Sequence, residues 1–173
     1  MTRINLKATI VFMGKLAERL ADEKRTGVYR TEVTEALEEA AGIVGLPIVR
    51  VDLRDSSADR LLADCAQAAV ARPLAGWDAV AAALADPAWT PPPGRVLLIE
   101  GFEELLDDGA GSLEPLVAAL DSAAAQHRLR GERFFAVFLD PGRRVALDPL
   151  YDRRRLASTT VPAHAVEDQG GDT

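Results

Sequence analysis

Apolar side chains at Ile10, Met13, Leu16, Ala17 and Leu20 recur every three or four residues. That is the spacing of one helix face, and it predicts an amphipathic helix over roughly 5–24. Gly27-Val28-Tyr29-Arg30 reads as a short strand. Val33, Leu37, Ala40 and Ala41 mark a second helix, with Gly42 placed to end it in the left-handed conformation glycine tolerates. After Gly45-Leu46-Pro47, alternating apolar residues predict a strand from Ile48 to Leu53. Ser56 or Ser57 is positioned to cap a helix whose Leu61, Leu62, Cys65 and Ala69 share a face. Trp77 to Asp86 reads as a short alanine-rich helix stopped by Pro87.

Val96-Leu97-Leu98-Ile99 is the most apolar run in the chain. Four consecutive apolar residues between turn signals predict a strand covered on both faces, as in a parallel sheet. Ser112 is a candidate cap for a helix from Leu113 to about Arg128, with Leu116, Leu120, Ala123 and Ala124 inward. Phe134, Phe135, Val137 and Phe138 predict a last buried strand. Asp140-Pro141-Gly142-Arg143 is turn chemistry that would return Val145 to Leu147 as a hairpin arm. The order predicts an α/β protein: a small, mostly parallel sheet of three strands or slightly more, with helices packed on it. Residues 1–46 are expected to form a helical extension with a short strand, 47–150 the α/β domain, and 151–173 a disordered tail.

Composition narrows the class. The chain has 173 residues, 48% apolar and 27% charged, which suits a folded globular protein and not a disordered one. No apolar run reaches the ~18 residues of a membrane span. The N-terminal apolar stretch is only about seven residues, Lys15, Glu18 and Arg19 follow it, and no small-residue cleavage site appears, so export is not expected. One cysteine, Cys65, permits neither an internal disulfide nor a thiolate cluster, and a cytoplasmic location is expected. A net charge of −7 argues against direct nucleic-acid binding, which needs a basic surface.

The charge is also unevenly placed. Residues 76–121 hold Asp78, Asp86, Glu100, Glu103, Glu104, Asp107, Asp108, Glu114 and Asp121 with Arg95 as the lone base, a local −8. The remaining residues sum to +1. A field of one sign would steer and orient a basic partner. Catalytic chemistry finds less support. No G-x-x-x-x-G-K-[ST] loop follows the acidic-ended strand at Glu100, and no Ser/His/Asp pattern is present. His127 and His164 read as solvent-exposed, Cys65 and Trp89 as core, and Trp77 as an interface anchor. No enzyme activity, catalytic residue, metal or cofactor is expected.

From about Ile48 to Asp140, the sequence resembles the barstar family of intracellular ribonuclease inhibitors. Four pieces in order carry the likeness: strand Ile48–Leu53 leading into helix Ala58–Val70; Trp77-Asp78-Ala79-Val80 with Leu84, Asp86 and Trp89; strand Val96–Ile99 with Gly101-Phe102-Glu103-Glu104-Leu105; and a helix followed by strand Phe134–Leu139. Gly27-Val28-Tyr29-Arg30 also looks like a segment preceding the domain in longer bacterial members. The resemblance implies a barstar-like fold and an acidic helix, with the loop before it, that plugs a ribonuclease active site. A carboxylate can stand in for a phosphate oxygen in charge-assisted hydrogen bonds to Arg and Lys.

On this reading Asp78 matches the first acid of that helix, while Ala82 stands where the family has its second acid and Ala81 where it has an aromatic. The acid of the following long helix falls near Ser122, with Asp121 turned about 100° away. The preceding loop is Val70-Ala71-Arg72-Pro73-Leu74-Ala75-Gly76, and its Arg72 would repel a basic site. The expected interface is Arg72, Gly76, Trp77, Asp78 and Asp86, with Glu103, Glu104, Asp107 and Asp108 steering. The implied function is an antitoxin or immunity protein that occludes a basic surface of a ribonuclease or other toxin, without nucleic acid or membrane as partner. The alternative is a non-inhibitory regulatory or scaffolding module that binds through residues 5–24, with a second copy of the chain as a candidate partner.

Overall fold

The computed structural model describes residues 6–54, 76–90, 92–103, 106 and 113–151. Four strands form one wholly parallel sheet in the order β1-β4-β3-β2: β1 is Gly27–Thr31, β2 Ile48–Asp52, β3 Arg95–Glu100 and β4 Phe134–Leu139. Among the described residues, four α-helices flank it: α1 Leu6–Ala21, α2 Glu35–Ile43, α3 Gly76–Leu84 and α4 Glu114–Leu129. None of them is long and apolar enough to cross a membrane. The expected helix Ala58–Val70, Cys65, Arg72, Glu104, Asp107, Asp108, Ser112, His164 and the tail from 152 lie outside the described residues.

Side chains alternate along each strand, so the sheet builds two separate cores. Leu97 and Ile99 of β3 join Phe134, Ala136 and Phe138 of β4 in contact with Val80 and Leu84 of α3 and Leu116, Leu120 and Ala123 of α4. Val96 and Leu98 join Phe135 and Val137 on the other face, under Leu16, Ala17 and Leu20 of α1 and Leu37, Ala40 and Ala41 of α2. The continuous apolar run of β3 is therefore buried on both sides, as its composition predicts. Each fully buried phenylalanine of β4 contributes about 1.5–3 kcal/mol.

Topology explains the two layers. The chain crosses from β1 to β2 by way of α2, then steps back through β3 to β4 by way of α3 and α4. Parallel crossovers keep one hand, so reversing the direction of travel requires the opposite face.

The sheet also absorbs the segment expected to be an extension. β1 pairs with β4 from Gly27↔Phe135 to Thr31↔Leu139. Buried Thr26 locks this junction: its hydroxyl donates to the Glu132 carbonyl at 2.8 Å and accepts from the Phe134 amide at 3.2 Å. The Thr26 carbonyl accepts from the Arg128 guanidinium. The apolar stripe Leu16-Ala17-Leu20 is thus covered by the protein's own sheet.

Two local expectations change. Helix α2 runs through Gly42, and Gly45 takes the left-handed conformation at φ 68°. The Leu46 amide bonds the Ala41 carbonyl and the Gly45 amide the Gly42 carbonyl, the paired bonds of a Schellman ending, with Leu46 buried beyond it. The hairpin arm Val145–Leu147 does not form. Strand β4 is flanked by β1 and β3, so no edge is free to receive it. Instead Asp140 holds the turn, accepting from the Val145 amide at 2.8 Å, and the chain passes outside β1, making a single parallel bridge between Pro149 and Arg30.

Candidate functional site

Helix α3 is short, and its side chains divide cleanly. Trp77, Val80, Ala81 and Leu84 follow the i, i+3, i+4, i+7 spacing; Val80 and Leu84 are buried, while Trp77 and Ala81 are half-buried against the same core. Trp77 is therefore in part a core residue, with the rest of its surface exposed. Asp78 lies in the first turn, where the helix dipole favours a negative charge. Its side chain is exposed and makes no hydrogen bond or ion pair with any described residue. Ala82, one turn on, is exposed beside it.

The far end of α3 is clasped by the end of α4. His127, read from sequence as exposed, is 0% exposed. It continues the buried stripe Leu116-Leu120-Ala123-Ala124, a signal that was present in the spacing. Its Nε2 donates to the Leu84 carbonyl at 2.7 Å, and its Nδ1 lies 2.7 Å from the Glu132 carboxylate. The ring stacks on Phe134 with centroids 4.9 Å apart. Arg130 donates to the Ala85 carbonyl at 2.6 Å and to Glu132 at 2.9 Å. Two carbonyls at the end of α3 that have no helical partner are thereby satisfied.

Gly131, at φ 68°, makes the clasp feasible. It ends α4 with the same pair of bonds seen at Gly45, Glu132 amide to His127 carbonyl and Gly131 amide to Arg128 carbonyl. This reversal turns Glu132 back over His127. Polar partners on both ring nitrogens are what allow an imidazole to be buried.

The Arg130 hydrogen bond, against partial burial and with help from His127, holds the Glu132 carboxyl below its ordinary value of 4.5. A carboxyl depressed in the fold contributes stability above its unfolded value and loses it as pH falls through the folded one. Urea midpoints measured downward from pH 7 should therefore begin to fall near pH 4.5. Glu132→Gln should flatten that decline, and parallel curves for the two proteins would show that Glu132 is not responsible.

The described acids of the window do not form one patch. Glu100 points to the α1/α2 face, where Arg50 pairs with it at 3.1 Å and also pairs with Glu38 of α2. Those carboxylates, Glu38 foremost, raise the Arg50 guanidinium above its ordinary value. Half-buried Glu103 begins the turn after β3 near Arg54, which is raised chiefly by its hydrogen bond to Asp52 and further by Glu100 and Glu103. The Asp86 carboxylate accepts from the Ala88 amide at 2.7 Å and shapes the turn after α3.

Asp121 shares a stripe of α4 with Arg128, seven residues on, and Arg128 reaches Thr26 beside β1. It therefore lies on the β1 flank, away from Asp78. Burial raises its carboxyl, opposed by Arg128. Adjacent positions in a strand face opposite ways, so closeness in sequence does not make a surface. Of the interface residues inferred from sequence, α3 brings Gly76, Trp77 and Asp78 together, and Asp86 follows at its other end.

A parallel sheet between two helical layers, displaying a short helix whose first-turn carboxylate pairs with no described residue, defines a small α/β module. The family is Barstar, described as barnase inhibitors: its model matches residues 46–139, more than half the chain, and the chain belongs to it. Strand β1 and helices α1 and α2 precede the matched segment. Comparison with curated proteins and with solved structures gave no match.

Proposed function

We propose that this protein binds and neutralises a nuclease or other toxin by laying α3 on a basic surface of its partner, with Asp78 accepting charge-assisted hydrogen bonds and Trp77 packing beside it. The observation that carries this reading is the exposed carboxylate of Asp78, which pairs with no described residue and stands where the resemblance puts the first acid of the inhibitory helix. Glu100 and Asp86 are engaged within the protein, whereas Asp78 is engaged by no described residue. Glu103, with Glu104, Asp107 and Asp108, supplies longer-range attraction, screened beyond about 8–10 Å at physiological salt.

Titration calorimetry of the full chain against a barnase-type ribonuclease tests the assignment. Asp78→Ala should weaken binding by about 1.5–3 kcal/mol, roughly ten- to a hundredfold. Its side chain is exposed, and the better helix propensity of alanine offsets the lost interaction with the helix dipole, so the unfolding midpoint should hold. Equal affinity for both proteins would remove Asp78 from the interface.

A further inference from the structure

Both ring nitrogens of His127 face acceptors. The Leu84 carbonyl, 2.7 Å from Nε2, can only accept, so Nε2 carries a hydrogen. The contact of Nδ1 with the Glu132 Oε2 is also 2.7 Å, and two bare lone pairs do not approach so closely. One proton therefore lies between them. Arg130 Nε donates to the same Oε2 at 2.9 Å, which favours the charged carboxylate and leaves that proton on Nδ1.

A second arrangement is built into the same three residues. Arg130 Nη2 lies 3.0 Å from Nδ1, so a ring without its Nδ1 proton accepts there instead of donating to Glu132. The Glu132 carboxylate then meets a bare nitrogen and has to swing away. It takes with it the Nε bond that orients Arg130 toward the Ala85 carbonyl.

Helix α3 is placed to feel this change. It has nine residues, fewer than the ~12–15 a helix needs to hold itself in water, so its order depends on what grips it. His127 and Arg130 bring donors to the Leu84 and Ala85 carbonyls, the negative end of its dipole, where cations stabilise most. The other neighbouring charges are turned elsewhere. On α4 and after α3, Arg128 reaches the Thr26 carbonyl and the Asp86 carboxylate the Ala88 amide. Glu23, before β1, lies alongside Gly131. From β4 the ring meets uncharged Phe134, and Arg95 stacks over Trp89 beyond it.

We propose that His127, Glu132 and Arg130 form a proton-controlled switch that sets the order of α3 and, through it, affinity for a basic partner. With the proton on Nδ1 the last turn of α3 is held; without it that turn is released, so affinity falls as pH rises. His127 is a positioning residue here and touches no partner. The effect on α3 stands on the clasp alone, whereas the effect on affinity rests on α3 being the binding helix.

Nitrogen-edited NMR of the full chain, titrated upward from mildly acidic solution, reads the switch without a partner. Both ring nitrogens should carry hydrogen at the start. As Nδ1 loses its proton, exchange protection of the Leu84 and Ala85 amides should fall about tenfold, the worth of one charge-assisted hydrogen bond. His127→Phe keeps a stacked ring that cannot titrate, and its α3 protection should not follow pH. An Nδ1 without hydrogen at the start overturns the proposal. So does a ring that keeps both protons up to alkaline unfolding, or α3 protection equally pH-dependent in both proteins.

Calorimetry against a barnase-type ribonuclease then gives the ratio of wild-type to His127→Phe affinity, in which the ribonuclease's own titration cancels. The ratio should fall about tenfold over the same pH range. A flat ratio with weakened binding by Asp78→Ala overturns control of affinity by the clasp. A flat ratio with normal binding by Asp78→Ala instead removes α3 from the interface, and only the control of α3 order survives.

Discussion

Replacing His127 by alanine should lower the unfolding free energy by about 3 kcal/mol, measured by urea denaturation with an unchanged m-value. Two losses add. A fully buried ring stacked on Phe134 leaves a cavity, which costs about 2–5 kcal/mol when comparable core side chains are truncated. The Leu84 carbonyl also loses its donor, and an unsatisfied buried acceptor costs about 1–3 kcal/mol. Partial collapse of the site and the surviving Arg130–Glu132 bond keep the total below the simple sum.

His127→Phe separates the terms, since it retains the ring and its stacking but not the donor, and should cost about 1–2 kcal/mol. Amide exchange should quicken in α3, whose end depends on the clasp. A loss below 1 kcal/mol for the alanine variant would mean that Arg130 alone secures Ala85 and the end of α3.

This histidine shows what kind of information the sequence withheld. Its spacing from Leu116, Leu120 and Ala123 marks a buried position, but its residue type argues for exposure, and the deciding partners lie five and 43 residues away. The strands and most helices were readable because their signals are local: alternation in Ile48–Asp52, a doubly apolar run in Val96–Ile99, a three-to-four repeat in α4.

Sheet order was not readable, since β1 pairs with a strand more than a hundred residues away and no local pattern encodes that choice. The failed hairpin at Val145 has the same origin, because a turn sequence cannot register that β4 has no free edge. The acidic window misled for the converse reason. It summed charges that the fold places apart, Glu100 toward α1 and α2 where Arg50 pairs with it and Asp78 on α3 over the other face of the sheet.

Introducing an acid at Ala82 should strengthen binding to a barnase-type ribonuclease by about 1.5–3 kcal/mol, ten- to a hundredfold, if α3 is the inhibitory helix. Ala82 is exposed and one turn beyond Asp78, so a carboxylate there would stand on the same side of α3 without disturbing Val80 or Leu84. The substitution costs the free protein something. Aspartate is a poorer helix former than alanine by about 0.5 kcal/mol, and repulsion from Asp78 adds about 0.2–0.5 kcal/mol. A negative charge near the end of α3 opposes its dipole by about 0.3–1 kcal/mol.

Ala82→Asp should therefore bind more tightly while unfolding at a slightly lower temperature, a combination that a general gain in stability cannot produce. Because the repulsion between the two carboxylates is relieved when a cationic site engages both, the gain should shrink with added salt and should be smaller in the Asp78→Ala background. An Ala82→Asp protein with unchanged affinity, alongside an Asp78→Ala protein that also binds normally, would move the interface off α3 altogether.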